Sequence, residues 1–358
     1  MSTVSLAMII KDEEAVLDRC LASIYECADE IIIVDTGSSD RSVEIAEKYT
    51  NQIYHYAWND DFAAARNEAF SHAKMDYIMW MDADDVLPAD EKEKLLALKQ
   101  TLSLDTDIVM MKYHIAFDNE NQPTFTYYRE RLIRNNKQFY WSGKIHEAIN
   151  IHGKIEYSEI AIHHKKLKQN DSMRNLRILE KLCQDERATV RDRYYYAREL
   201  YEHQQYQKTL RQLEHVCLTQ GLWIENRIDS YRIKGHCLWA LNKKEEAFAA
   251  YFHSFVFALP KAEILCDIAY CFMQEHNYKQ AIYWYHAALH TEKNEASGAF
   301  IQQECYDFIP YVQLCVCYDH MGEHEKALYY HQQAAKLKPV HPIVQKNNEY
   351  FKAYLKIE

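Results

Sequence analysis

Short apolar runs and amphipathic stretches alternate through the first hundred residues. Val4–Ile10 is an apolar run of strand length, Glu13–Tyr25 carries apolar residues at helical spacing (Val16, Leu17, Cys20, Leu21, Ile24), and Glu30–Asp35 is a second buried strand. Thr36-Gly37-Ser38-Ser39-Asp40 reads as a turn, with Ser39 or Asp40 capping a helix through Tyr49, and a short strand follows at Ile53–Tyr56. A helix over Phe62–His72 then leads into the apolar run Tyr77–Met81. Strands that alternate with helices predict a mostly parallel, doubly wound α/β sheet with its ligand crevice beyond the carboxyl ends of the strands. Lys11-Asp12, Asp35 and Asp82-Ala83-Asp84 all fall at such ends.

Beyond residue 105 the strands become more polar: Ile108–Tyr113, Thr126–Arg134, Phe139–Trp141 and Glu159–His163 read as a mixed-sheet extension that closes the crevice. From about residue 170 the pattern turns helical and rich in tyrosine, and it repeats. Twelve residues before Thr209, Ala247, Ala281 and Ala327 stand Ala197, Gly235, Ala269 and Cys315, all small. Nine before the same anchors stand Leu200, Leu238, Phe272 and Tyr318, all large and apolar. The anchors are 38, 34 and 46 residues apart, and 34 is the period of a tetratricopeptide repeat. Small residues let paired helices approach while large ones fill the groove between them. Asn242, Gly322 and Pro339 fall where turns belong, and the long spacing implies longer helices or an inserted loop around Lys293–Ser297. Generic helical hairpins are the alternative. The two patterns divide the chain at 1–168 and 169–358.

At 358 residues, 48% hydrophobic and 27% charged, the chain has the size and composition of a two-domain protein with ample core. Its net charge of -11 argues against a nucleic-acid binder, which needs a cationic surface. No apolar run approaches the ~20 residues of a membrane span, and Met1-Ser2-Thr3-Val4 lacks a basic region leading into a signal core. A cytoplasmic protein is expected. Its 10 cysteines include no Cys-x-x-Cys pair, and Cys237, Cys266 and Cys271 sit in amphipathic helical patterns. They read as reduced core residues rather than a zinc site.

The chemistry concentrates where Tyr77–Met81 ends in Asp82, Asp84 and Asp85. Carboxylate oxygens are hard ligands suited to Mg²⁺ or Mn²⁺, with substrate phosphates completing the shell. The plainer reading is a helix start, with Asp85 capping Pro88-Ala89-Asp90-Glu91. Further along, Trp141-Ser142-Gly143-Lys144-Ile145-His146-Glu147 offers Glu147 or His146 as the base that an inverting sugar transfer needs. The plainer reading of Glu147 by itself is a surface pair with Lys144 or Arg131. His163 closes an apolar strand and reads either as a third metal ligand or as a structural histidine.

Taken together, Met8–Glu14, Val34–Asp40, Asn59–Asn67, Met81–Asp84 and Gly143–Glu147 resemble the motifs of the family 2 glycosyltransferases of GT-A fold, in the family's order. The chain looks most like the bacterial subgroup with a C-terminal tetratricopeptide region, which includes peptide S- and O-glycosyltransferases that modify bacteriocins. The resemblance implies a UDP-sugar donor and a divalent metal. It implies that the backbone of Ile9 and Ile10, with Glu13, borders the base, and that Asp35 hydrogen-bonds uracil. Asp61, Arg66 and Asn67, with Arg131, would line the diphosphate and sugar pocket. Asp82 would touch the ribose with Ala83 beside it, and Asp84 the metal, with His163 as a further ligand. Glu147 takes the place of the acceptor base and His146 that of a metal or phosphate neighbour. Asp12 stands where family members often have Asn, and His164-Lys165 where Gly-Tyr commonly follows the His, which leaves His163 and His164 open as the ligand.

The leading expectation is transfer of a hexose from a UDP-sugar to Ser or Cys of a peptide, because helical repeats present long concave surfaces suited to peptides. The same chemistry on a cell-envelope glycan or lipid-linked acceptor is the second, and a non-catalytic repeat scaffold with a relic sugar-nucleotide domain the third. Aromatic helices such as Tyr283-Trp284-Tyr285 fit either a repeat core or a homodimer face.

Overall fold

Strands β1 (Val4–Ile10), β2 (Glu30–Asp35), β3 (Ile53–His55) and β4 (Tyr77–Trp80) run parallel in the order β3-β2-β1-β4. This is a computed structural model, and it describes residues 1–118, 121–136, 138–167, 173–294 and 301–355. Helices α1 (Leu17–Ile24), α2 (Ser42–Ala46) and α3 (Phe62–Ser71) connect the strands. Along β1, Leu6, Met8 and Ile10 pack with Leu17, Leu21, Ile24 and Ile45, while Ala7 shares the opposite face with Ala63, Ala69 and Phe70. Helices thus cover both faces, and for that reason β1 and β2 are apolar almost throughout.

The chain continues through β5 (Asp85–Val86), α4 (Ala89–Thr101), β6 (Ile108–Phe117), β7 (Pro123–Arg134), β8 (Trp141–Ser142), β9 (Ala148–Ile149) and β10 (Ile155–His164). β7 lies antiparallel to β4 and to β6, β10 runs parallel to β6, and β5 closes on β10 antiparallel. The mixed extension is therefore where the polar strand pattern places it. Three local expectations need correction. α1 starts at Leu17 rather than Glu13: Glu13–Val16 form a turn in which the Glu13 carbonyl accepts from the N–H groups of Val16 and Leu17, and Val16 holds the non-helical cap position at φ -128°. α2 is only a turn and a half long, from Ser42 to Ala46 rather than on to Tyr49. Asp85 does not cap α4. It lies fully buried in β5, and Pro88 holds the cap position.

Contacts divide the chain into two compact units, Met1–Tyr195 and Tyr196–Glu358, so that α5 (Arg174–Cys183) and the first turns of α6 (Val190–Glu202) belong to the first. The expected junction at 168/169 lies outside the described residues. Helices α7 (Tyr206–Leu218), α8 (Ile224–Ala240), α9 (Lys244–His253), α10 (Ala262–Gln274), α11 (Tyr278–Leu289), α12 (Phe308–His320), α13 (His324–Leu337) and α14 (Pro342–Leu355) make up the rest. Four hairpins, α6–α7, α8–α9, α10–α11 and α12–α13, turn in the same way. Gln204, Asn242, His276 and Gly322 each take left-handed φ, between 56° and 76°. The N–H of the next residue reaches back to the carbonyls of Leu200, Leu238, Phe272 and Tyr318, at 2.8–2.9 Å. These are Schellman closures, and the large apolar positions of the repeat are their carbonyl acceptors.

The small positions have a steric cause. Thr209, Ala247, Ala281 and Ala327 are all fully buried, and a Cβ added at Gly235 would collide with the Tyr251 ring. Cys237, Cys266 and Cys271 are buried in α8 and α10, as their amphipathic setting implies. The proposed insert around Lys293–Ser297 falls largely outside the described residues. Tyr285 is fully buried whereas Tyr283 is 63% exposed, so the aromatic helix α11 divides between core and surface.

Candidate active site

The acidic corner after β4 is built on Asp85. Its buried carboxylate accepts from Arg131 Nη1 (3.1 Å), the Tyr113 hydroxyl (2.7 Å) and the Asp82 backbone N–H (3.1 Å). Arg131 is fully buried between the rings of Trp80 and Tyr113, 3.9 and 4.3 Å from their centroids. It does not reach the cleft as a nucleotide ligand would, and works instead as the internal counter-charge that makes a buried Asp85 tolerable. Asp82 and Asp84, held by this anchor, turn toward solvent. Register then decides between the two histidines. β10 pairs with β5 so that His164 lies opposite Asp85 and His163 opposite Val86. His164 Nδ1 is 3.3 Å from Asp84 Oδ1 and 3.4 Å from Asp85 Oδ1. His163 points to the other face, 5.2 Å from the His114 ring and 5.0 Å from Phe117. A one-residue slip would exchange them.

Ligand atoms of Asp84, Asp85 and His164 all lie within 4.8 Å of one another. Two hard oxygens and an imidazole suit Mn²⁺ or Mg²⁺. Burial works against a charge on His164, but hydrogen bonds to Asp84 and Asp85 and their charges raise its pKa to about 10. The pocket therefore already calls for a positive charge at this point. Asp85 is committed to Arg131 and Tyr113, which leaves Asp84 and His164 as the members of this group able to turn toward an ion.

Glu147 enters from the β8–β9 loop and is tied to the same corner by one side chain. Arg66, on α3, donates from Nε to Glu147 Oε1 and from Nη2 to Asp82 Oδ1, both at 2.6 Å. The anticipated partners of Glu147, Lys144 and Arg131, are not the ones it has. The Arg66 guanidinium lies between Trp80 (5.0 Å) and Trp141 (4.9 Å), which shield it from water. Burial opposes ionisation of Asp82, yet the charges of Arg66 and Arg131 lower its pKa to about 2. The same carboxylates hold Arg66 firmly protonated despite burial.

Arg66, Asp82, Asp84, Glu147 and His164 line a cleft of about 590 Å³ together with Ile10, Glu13, Ala83 and His146. Its floor is the end of β1, where Asp12 takes left-handed φ (53°) and accepts from the backbone and hydroxyl of Ser39 at 2.7 and 3.0 Å. Glu13 N–H donates to Ser42 Oγ at 2.7 Å, so the β1 and β2 loops are stitched together. Asp35, Asp61 and Asn67 do not line the cleft. Asp35 accepts from the N–H groups of Gly37 and Ser38 and lies 3.3 Å from His55, Asp61 caps α3 through the Ala64 N–H, and Asn67 grips both backbone polar groups of Trp141. Sequence reasoning did not reach Trp58, Phe62, Arg129, Arg174 and Asn175, which also line the cleft. Phe62 and Trp58 meet edge to face at 4.7 Å, and Arg174 lies over Phe62 at 5.0 Å. Only the aromatic bracket Trp58–Phe62 around two aspartates was visible as a signal; Arg174 and Asn175 arrive from α5 through the fold alone.

An open α/β sheet with a carboxylate corner at its strand ends, continued as a mixed sheet, is a GT-A-like architecture. Residues 5–153 match the model of glycosyl transferase family 2, so the chain carries a domain of that family, followed by tetratricopeptide-like hairpins. A TPR repeat-containing protein of Synechococcus elongatus is 48% identical over 87 residues, 24% of this chain and 22% of that one. The prophage-derived glycosyltransferase SunS of Bacillus subtilis is 23% identical over 218 residues, 56% of this chain and 49% of SunS. The matches thus span about half or less of these curated relatives. Among solved structures, Staphylococcus aureus TarS 1–349 in complex with UDP-GlcNAc aligns over 69% of this chain and 89% of that one, with TM-score 0.40 and 14% identity.

Proposed function

We propose that the chain is a metal-dependent inverting transferase that moves a hexose from a UDP-sugar to a peptide or protein side chain. The observation that carries this reading is the Arg66 bridge. It joins an acidic corner suited to a metal and a diphosphate to a carboxylate from another part of the chain, across one cleft. Ile10, Glu13, Asp35 and Asp61 are assigned to the nucleotide side of the cleft and its supporting turns, and Asn67 to holding the Trp141 wall. Asp84 and His164 would hold Mn²⁺ or Mg²⁺, which supplies charge stabilisation to the leaving diphosphate when bound.

Arg66 adds a fixed positive charge beside that leaving group. Among the described residues Glu147 Oε2 takes no hydrogen bond, and it is the atom assigned to remove the acceptor proton while the acceptor attacks the anomeric carbon. One displacement with one base inverts that centre. Acceptance of a peptide rests on the helical hairpins, whose stacked pairs generate extended surfaces.

The test begins with thermal stability in UDP, GDP or buffer, each with and without Mn²⁺. A shift of roughly 2.7 kcal/mol at a hundred times the dissociation constant is expected for UDP with Mn²⁺ only. Glu147→Gln should keep that shift and lose about 10²- to 10⁴-fold in sugar transfer. Parental turnover in Glu147→Gln removes the base assignment. Transfer to an envelope glycan or lipid but to no peptide would replace the acceptor class, and the lack of any nucleotide effect would favour the non-catalytic scaffold.

A further inference from the structure

Glu147 is placed from two directions, and only one of them lies within the matched residues 5–153. Arg66 holds its carboxylate. The other hold is on the backbone of the preceding residue. His146 takes left-handed φ (52°) in a loop that opens at Gly143, also left-handed at 94°. A loop of this kind has little regular hydrogen bonding of its own. Besides the bond from Phe62 N–H to the Lys144 carbonyl, a clip from α6 secures it. The His146 ring lies flat on Tyr195, with centroids 4.2 Å apart and planes inclined by 18°. Arg191 Nη2 donates to the His146 carbonyl at 2.9 Å, and its guanidinium lies over the Tyr195 ring at 4.9 Å. Arg191 and Tyr195 stand four residues apart on α6, hence on one face of the helix. Tyr195 is itself buried and braced edge-on by Tyr194 at 4.9 Å.

We propose that Arg191 and Tyr195 are positioning residues for the reaction: by clipping the ring and carbonyl of His146 they hold its left-handed backbone, and with it the direction in which Glu147 projects. This rests on the reading of Glu147 as the acceptor base. Relaxation of His146 to an extended φ would swing Glu147 relative to Arg66, and a misplacement of about 1 Å costs on the order of 10²-fold in rate. The machinery thereby reaches about forty residues past the matched residues 5–153, onto a helix whose own pattern marks it as part of the repeats.

The full chain carrying Tyr195→Leu, Tyr195→Phe or Arg191→Ala is compared with Glu147→Gln. Hydrogen exchange of the segment 143–149 reads the clip directly, and UDP release from UDP-glucose or UDP-N-acetylglucosamine reads its consequence. In Tyr195→Leu and Arg191→Ala, exchange in that segment should rise about tenfold or more. Their kcat should fall roughly 10- to 100-fold with donor KM and the UDP–Mn²⁺ stabilisation unchanged. Tyr195→Phe keeps the stack and should match the parent throughout, which a general loss of packing would not do. Should Tyr195→Leu fail to fold, Arg191→Ala carries the test at a less buried position. Parental exchange at 143–149 in the folded variants overturns the proposal. So does raised exchange with parental kcat while Glu147→Gln is inactive. Parental turnover in Glu147→Gln instead overturns the base assignment, and the exchange data still report whether the clip exists.

Discussion

Two clusters in this molecule share nearly the same composition and do different work. In the cleft, Arg66 is gripped by Asp82 and Glu147. In the repeat region, Arg232 on α8 is gripped by Asp267 on α10 at 2.5 Å, with His236 Nε2 3.0 Å from the same carboxylate. In both places burial opposes ionisation, and in both the partner charges overcome it, so that each arginine is raised and each aspartate lowered. Perturbed ionisation therefore marks the two clusters equally, and it does not by itself locate function. Geometry separates them. Asp267 spends Oδ2 on Arg232 Nε and His236 and turns Oδ1 to Arg232 Nη2 at 3.4 Å, which ties one hairpin to the next. Among the described residues the cleft cluster leaves Glu147 Oε2 without a hydrogen bond, and Asp84 lines the same cleft, a space large enough for a ligand.

The repeat cluster is expected to serve stability alone. Asp267→Ala strands Arg232 and should cost about 3–5 kcal/mol in a denaturant melt, while nucleotide stabilisation and turnover per folded molecule stay at parental levels. The sign with pH follows from the lowered pKa of Asp267. The pair contributes fully above the ordinary carboxylate value of about 3.9 and is lost as pH falls through the lower, folded value. The gap between acid melts of parent and variant should therefore begin to narrow below pH ~3.9 and close only below the folded value, and a gap that widens over that range contradicts the ion-pair account.

Next in size is the choice between histidines. His164→Ala should abolish the Mn²⁺-dependent part of the UDP stabilisation, about 2.7 kcal/mol at a hundred times the dissociation constant, whereas His163→Ala should keep it. The reverse pattern would mean that the β5–β10 register is shifted by one residue. The smallest effect sharpens the repeat side. Gly235→Ala drives a methyl into the Tyr251 ring and should cost about 1–3 kcal/mol by overpacking, without any change in the cleft. A neutral result would show that α8 and α9 are free to separate.

Period and composition carried most of the architecture. β2 is legible as Glu30–Asp35 because a strand covered on both faces must be apolar throughout, and the hairpins are legible because close helix approach demands small side chains at fixed intervals. What failed was local. The turn at Glu13–Val16 uses backbone groups that an apolar period does not register, and Asp85 carries the signature of a cap while acting as a buried anchor. For the site, Asp82, Asp84, Arg66 and Glu147 were named from their motifs, and the structure brings all four to one cleft. Arg131 was named for the same pocket and lies beneath it.

Periodicity and the chemistry of single side chains set the two architectures, the strand ends at which polar groups gather, and the residue types available for a metal and a base. Tertiary structure alone decided pairings. That Arg66 joins Asp82 to Glu147, that His164 rather than His163 faces Asp84, and that Tyr195 lies under His146 are facts of register and packing between distant segments. No local pattern encodes them, because each depends on how two surfaces, far apart along the chain, come to share one small volume.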